Sequence, residues 1–130
     1  MSEILMIDFY QPGLADALNQ STDEQLDELT FGVIGFDRAG VVRRYNTFES
    51  KISGLAAGRV LNAHLFTTVA PCMNNFMVAQ RFEDALELAA HMDVVIDYVL
   101  TLRMRPKQVK LRLLSSPMEA MRFILVNRAQ

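Results

Sequence analysis

The C-terminal third of the chain restricts its folding more than any other part. Three runs of strand-forming residues follow one another closely: "VVIDYVLTLRM" (94–104), "QVKLRLL" (108–114) and "MRFILVN" (121–127). The middle run alternates at Val109, Leu111 and Leu113, the two-residue period of a strand with one buried face. The connections "RMRPKQ" and "SSPMEA" each carry a proline, placed where no ladder N–H is needed.

Upstream, "FGVIGF" (31–36) and "VVRRYN" (41–46) are short runs of β-formers split by the turn sequence "DRAG", which predicts a hairpin. "TFESKISGLAAGRVLNAHLF" reads as short helical turns and loops broken at Gly54 and Gly58. After Cys72, "NNFMVAQRFEDALELAAHM" spaces Val78, Ala79, Phe82, Leu86 and Ala89 as one face of the longest helix. The first 30 residues differ from the rest. Turn chemistry at Pro12-Gly13 precedes a short amphipathic pattern, and Ser21 with Glu24 has the spacing of a capping box. Leu26 and Leu29 share a face of that second short helix.

The expectation is an α+β fold, a five-stranded antiparallel sheet with helices gathered on one face. Residues 1–30 form an N-terminal helical cap and 31–130 the main domain, in one structural unit overall. That order of elements is similar to a PAS domain.

Composition excludes more than it selects. The 130 residues are 51% hydrophobic with a net charge of −2, so no electrostatic reason exists to expect nucleic acid or an anionic membrane as partner. No apolar stretch has the length of a membrane span, and "MSEILMIDFYQPG" lacks the basic start of a signal peptide, so a cytoplasmic protein is expected. A single cysteine, Cys72, excludes an internal disulfide and a cysteine-rich zinc site. There is no phosphate-binding glycine loop and no His-x-x-x-His pair. His64 and His91 lie far apart, and no orienting group marks either as a base for Cys72, so the chain does not read as an enzyme.

Tyr45, Glu49 and Ser53 follow one another at four-residue steps and, on a helix, project to one side. As ordinary surface residues they would need no explanation. With a lone thiol facing them in a largely apolar domain, they instead suggest a pocket in which a few polar groups orient a ligand.

At these residues the chain resembles the photoactive yellow protein family. "LDELTFGVIGFDRAGVVRRYNTFESKISG" and "NAHLFTTVAPC" carry, in the family's order, Leu-Asp before a Phe-Gly strand, the Tyr-Asn pair, the glutamate four residues on, and Val-Ala-Pro-Cys. Tyr98, Met104, Pro106 and "VKL" match further along, with one residue inserted before the third strand. The resemblance implies a blue-light sensor with 4-hydroxycinnamic (p-coumaric) acid thioester-linked to Cys72. Tyr45 and a neutral Glu49 would donate to its phenolate oxygen, Ser53 would support Tyr45, and Tyr98 and Met104 would complete the pocket. Proton transfer from Glu49 would leave a buried, unpaired carboxylate and drive partial unfolding of the least stable element, the N-terminal cap.

Three positions depart from the family: Leu55 replaces a pocket-gating arginine, Leu100 an aromatic residue, and Phe48 a small one. They leave open a non-photoactive PAS sensor or interaction module that is empty or binds a small apolar ligand or haem. The haem would use Cys72, His64, His91 or a methionine as axial ligand. An unknown downstream signalling protein is the expected partner, and the sequence is compatible with a monomer or a homodimer.

Overall fold

The computed structural model describes residues 7–101 and 106–128. Asp37 sets the first hairpin: its Oδ1 accepts from the N–H groups of Ala39 and Val41, turning β1 (Gly32–Phe36) back as β2 (Val42–Tyr45). The three C-terminal runs become β3 (Met92–Leu100), β4 (Lys107–Ser115) and β5 (Arg122–Asn127). All pairings are antiparallel in the order β2-β1-β5-β4-β3, so β5 lies in the centre against β1 and β4.

That central position explains why "RFILVN" shows no alternation. Ile124 and Val126 join one apolar cluster, while Phe123 and Leu125 join a second on the opposite face. A strand covered on both faces reads as a continuous apolar run. The first cluster lies between the sheet and the segment 57–85, with Val60, Leu65, Phe66, Met73, Val78 and Phe82 as its helical side. The second lies under the N-terminal segment, which contributes Phe9, Leu14, Leu18, Leu26 and Leu29.

The N-terminal segment contains α1 (Leu14–Gln20) and α2 (Asp23–Asp27). The capping box is one residue later than Ser21 and Glu24 suggest: Thr22 accepts from the N–H of Gln25, whose side chain accepts from the N–H of Thr22. Two arginines fasten this segment to the sheet. Arg112 on β4 pairs through two 2.8 Å bonds with Asp93 and donates to the carbonyls of Phe9 and Gln11 at 2.8 Å. Arg44 on β2 donates to the carbonyls of Leu18 and Ser21 at the end of α1 and to Asp23.

On the other face, α3 (Thr47–Ser53) ends at Gly54, whose φ of 78° is left-handed and free of steric cost without a Cβ. After α4 (Ala57–Val60), a π-helical turn Leu65–Val69 and a 3-10 turn Pro71–Met73 bring Cys72 to the sheet. The helix expected after Cys72 is α5 (Ala79–Glu87), which begins later than "NNFMVAQRF" suggests and leaves Leu86 exposed. Residues 75–78 are used otherwise: the Asn75 Oδ1 accepts from the N–H groups of Met77 and Val78.

Candidate functional site

The site begins at the end of β2, where the chain turns from strand to helix. Asn46, 2% exposed, is the N-cap of α3: its Oδ1 accepts from the N–H of Glu49 and from the N–H of Val33 on β1. Its Nδ2 donates to the carbonyls of Leu26 and Phe31. One amide thus ties α3 to β1 and to the N-terminal segment, and it fixes which side of α3 faces inward. Tyr45 lies immediately before this cap and Glu49 and Ser53 lie one and two turns into the helix, so all three meet the sheet.

The Tyr45 hydroxyl and Ser53 Oγ are 2.7 Å apart, and Ser53 Oγ also accepts from the N–H of Leu55. Burial pushes the Tyr45 phenol up to about 12, and the Glu49 charge adds to the shift. The Ser53 hydrogen bond and the Arg128 charge oppose it. The ring therefore stays neutral at ordinary pH and keeps a proton to donate.

Glu49 is almost wholly buried. Its carboxylate lies against β1 so closely that a Cβ on Gly32 would come within 2.0 Å of Oε1, which only glycine avoids. Both oxygens accept from Arg128, Nη1 to Oε1 at 2.7 Å and Nη2 to Oε2 at 3.0 Å. The expectation of a neutral, proton-donating Glu49 did not include this arginine, which faces both carboxylate oxygens. A bidentate guanidinium fork is the geometry of an ionised carboxylate.

Cys72 faces the same space from the 3-10 turn. Burial pushes its thiol up from the ordinary value, and an N–H of the Thr101 backbone offsets part of the effect. The Cys72 carbonyl accepts from the Tyr98 hydroxyl at 2.6 Å and from Asn75 Nδ2 at 3.2 Å, and Asn75 Nδ2 also donates to the Tyr98 oxygen. Tyr98 thus holds the backbone of Cys72 and is not among the residues lining the small cavity.

That cavity is bounded by Tyr45, Glu49, Ser53 and Cys72, with Leu55, Met73 and Leu100 among its apolar walls. Its volume is about 10 Å³, the size of one water. On the other side of Cys72 an open cleft of about 750 Å³ is lined by Asn75, Met77, Asp97, Tyr98 and Val109. Cys72 is common to both spaces.

Four of the expected residues therefore meet in one place, and Tyr98 stands behind the fourth. Met104 lies outside the described residues. Neither histidine lines either space: His64 packs against Gly40, and His91 is exposed before β3. Among the described residues, no group of three or more His, Cys, Asp or Glu is placed to hold a metal ion. No helix among them is long and apolar enough to cross a membrane. Sequence reasoning missed Arg128 and Asn75, and noticed Asn46 only as half of a Tyr-Asn pair.

No family model matches the chain. It is 29% identical over 108 residues to the photoactive yellow protein of Rhodothalassium salexigens, covering 83% of this chain and 86% of that one. It is 27% identical over 123 residues to the photoactive yellow protein of Halochromatium salexigens, covering 95% and 98%. Among solved structures, the photoactive yellow protein domain of the sensor histidine kinase Ppr from Rhodospirillum centenum superposes with a TM-score of 0.78. That match has 31% identity and covers 86% of this chain and 97% of that domain.

Proposed function

The chain belongs to the photoactive yellow protein family and is a PAS sensor domain of that type, and on that premise we propose that it is a photoreceptor carrying 4-hydroxycinnamic acid as a thioester on Cys72. The supporting observation is that Tyr45, Glu49 and Ser53 from the segment 45–53 and Cys72 from the 3-10 turn line one cavity. The donor set suits the group in kind: a thiol at one side, and a tyrosine hydroxyl with a carboxylate at the other. When bound, 4-hydroxycinnamic acid supplies light absorption and an isomerisable double bond.

Each residue has a task that follows from its surroundings. The Cys72 Sγ, once deprotonated, attacks the carbonyl carbon of an activated hydroxycinnamoyl donor such as a thioester or mixed anhydride. The S–C bond forms, the donor's leaving group departs with its electron pair, and the thiol proton passes to solvent. Because burial raises the thiol's pKa, acylation is slow at neutral pH and accelerates as pH rises. Tyr98 and Asn75 hold the Cys72 backbone in place during attack. Tyr45 donates to the hydroxyl end of the ligand, with Ser53 fixing its orientation.

Room must be made, since the cavity in this form holds about 10 Å³. Met73 is the wall side chain best able to yield, being unbranched and flexible. The response leaves through α3. Asn46 bonds both the N–H of Glu49 and the carbonyl of Leu26, so a shift of α3 is felt at the N-terminal segment that covers the opposite sheet face.

The test is acylation of the purified protein with an activated hydroxycinnamic acid. The expected result is one adduct, mapped to Cys72 by mass spectrometry, with a new absorption band that bleaches when illuminated. Cys72→Ala should take up none. An unmodified Cys72, or an adduct whose band does not respond to light, would overturn the proposal.

A further inference from the structure

We propose that the pocket bordered by Arg122, Arg38 and Ser115 is a binding site for a small oxyanion, a phosphate or carboxylate group, separate from the cavity at Cys72. It lies where the β1–β2 turn, the β4–β5 loop and the end of α5 meet, and its volume is about 180 Å³. That is several times the ~30 Å³ share of one water in the liquid.

Arg122 opens β5 and is only 5% exposed. A guanidinium carries five N–H donors. Here Nη2 donates to the Asp37 carbonyl at 2.9 Å, Nη1 reaches the Phe82 carbonyl only at 3.5 Å, and Nε is buried with no partner. Its Cζ lies 4.7 Å from the ring centre of Phe36 and 5.6 Å from that of Phe82, faces that attract a cation but carry no countercharge. Among the described residues no carboxylate pairs with it. A charge held out of water without a counter-ion is costly, and an anion beside it removes that cost. Burial accordingly pulls the Arg122 pKa below its ordinary value. The Asp37 charge opposes this, Arg38 adds to it, and Glu83 opposes it.

The remaining walls suit an anion. Arg38 donates from Nη2 to the Pro117 carbonyl at 3.1 Å, which ties the turn to the loop and holds a second guanidinium at the pocket without a carboxylate partner. Ser115 is 8% exposed and makes no side-chain hydrogen bond with the described protein, so its hydroxyl is free to donate. Ser116 Oγ accepts from the N–H of Met118 and keeps its own proton to give. At the end of α5 the Ala85 carbonyl accepts from the N–H of Ala90 and does not compete for the arginines. Asp37 and Glu83 do not line the pocket; Asp37 is engaged by Arg43 and by its own turn. Glu119 does line it, and one carboxylate against two guanidiniums leaves the pocket positive.

The test titrates the purified protein with inorganic phosphate and, separately, with acetate, against chloride at matched ionic strength. Binding should shift the Arg122 Nε–H signal in arginine side-chain NMR saturably and raise the thermal midpoint. Arg38→Gln should weaken it about tenfold, the worth of one charge-assisted hydrogen bond, and Arg122→Met should abolish it. Glu119→Gln, which removes the opposing charge, should tighten it severalfold. If Arg122→Met does not fold, the other two variants carry the test. Saturation by phosphate alone assigns a phosphate group, by acetate alone a carboxylate, and by both an oxyanion in general; each supports the proposal. No saturable shift with either anion overturns it, as does a shift that chloride reproduces or that Arg38→Gln and Glu119→Gln leave unchanged. Neither result bears on attachment at Cys72, which is read separately by acylation.

Discussion

Asn46 uses both ends of one side chain, accepting from Val33 and Glu49 and donating to Leu26 and Phe31, in a place that is 2% exposed. Asn46→Ala leaves these partners facing each other without a bond, which should cost roughly 2–4 kcal/mol. Chemical denaturation measures the loss, and Asn46→Asp, which keeps the acceptor, should recover part of it. Tyr45 makes a pH-dependent prediction. Its phenol ionises at about 12 in the folded chain and at the ordinary 10.0 when unfolded. Below pH 10 it is neutral in both states and contributes nothing to pH dependence. Between roughly pH 10 and 12 the unfolded chain loses a proton that the folded chain keeps, so stability falls as pH rises. The difference between Tyr45→Phe and wild type should be flat below pH 10 and then move in favour of Phe by about 2 kcal/mol. A flat difference across the whole range would show that Tyr45 is not shifted.

At the scale of elements, the described part of the N-terminal segment is tied to the sheet and its edge by the side chains of Arg44, Asn46 and Arg112. Arg112 carries two of its carbonyls and pairs with the half-exposed Asp93. Arg112→Leu should therefore loosen α1 and α2 selectively, at a cost of about 2 kcal/mol after allowing for solvent around Asp93. Hydrogen exchange should show their amides losing protection while β4 and β5 keep theirs. Equal loss in both would mean that the segment and sheet unfold as one. The sequence contained this segment's helices but not their register. Ser21-x-x-Glu24 and Thr22-x-x-Gln25 are overlapping capping boxes, and local chemistry does not choose between them. The tertiary structure does: Ser21 closes α1, donating its hydroxyl to the Ala17 carbonyl while its own carbonyl accepts from Arg44. The late start of α5 has a similar cause, since Asn75 is engaged with the nearby Cys72 carbonyl and with Tyr98, 23 residues away.

For the whole molecule, the sheet and the trio Tyr45, Glu49 and Ser53 were legible because strand period, turn chemistry and helical spacing are local signals. Arg128 was not legible. It reaches Glu49 across 79 residues from the end of the central strand, and nothing near it in sequence marks it as a site residue. It nonetheless engages both oxygens of the carboxylate that lines the cavity. The volume of the site was equally invisible, being fixed by Leu55, Met73 and Leu100 packing together from three segments.

Since Cys72 borders both the small cavity and the open cleft, attachment at the thiol does not by itself place a ligand between Tyr45 and Glu49. The absorption band of the acylated protein does. If the ligand occupies the cavity, Tyr45→Phe and Glu49→Gln should each shift the band, while Asp97→Asn on the cleft side leaves it in place. Bands unchanged by both cavity variants and moved by the cleft variant would contradict the account, placing the ligand in the cleft.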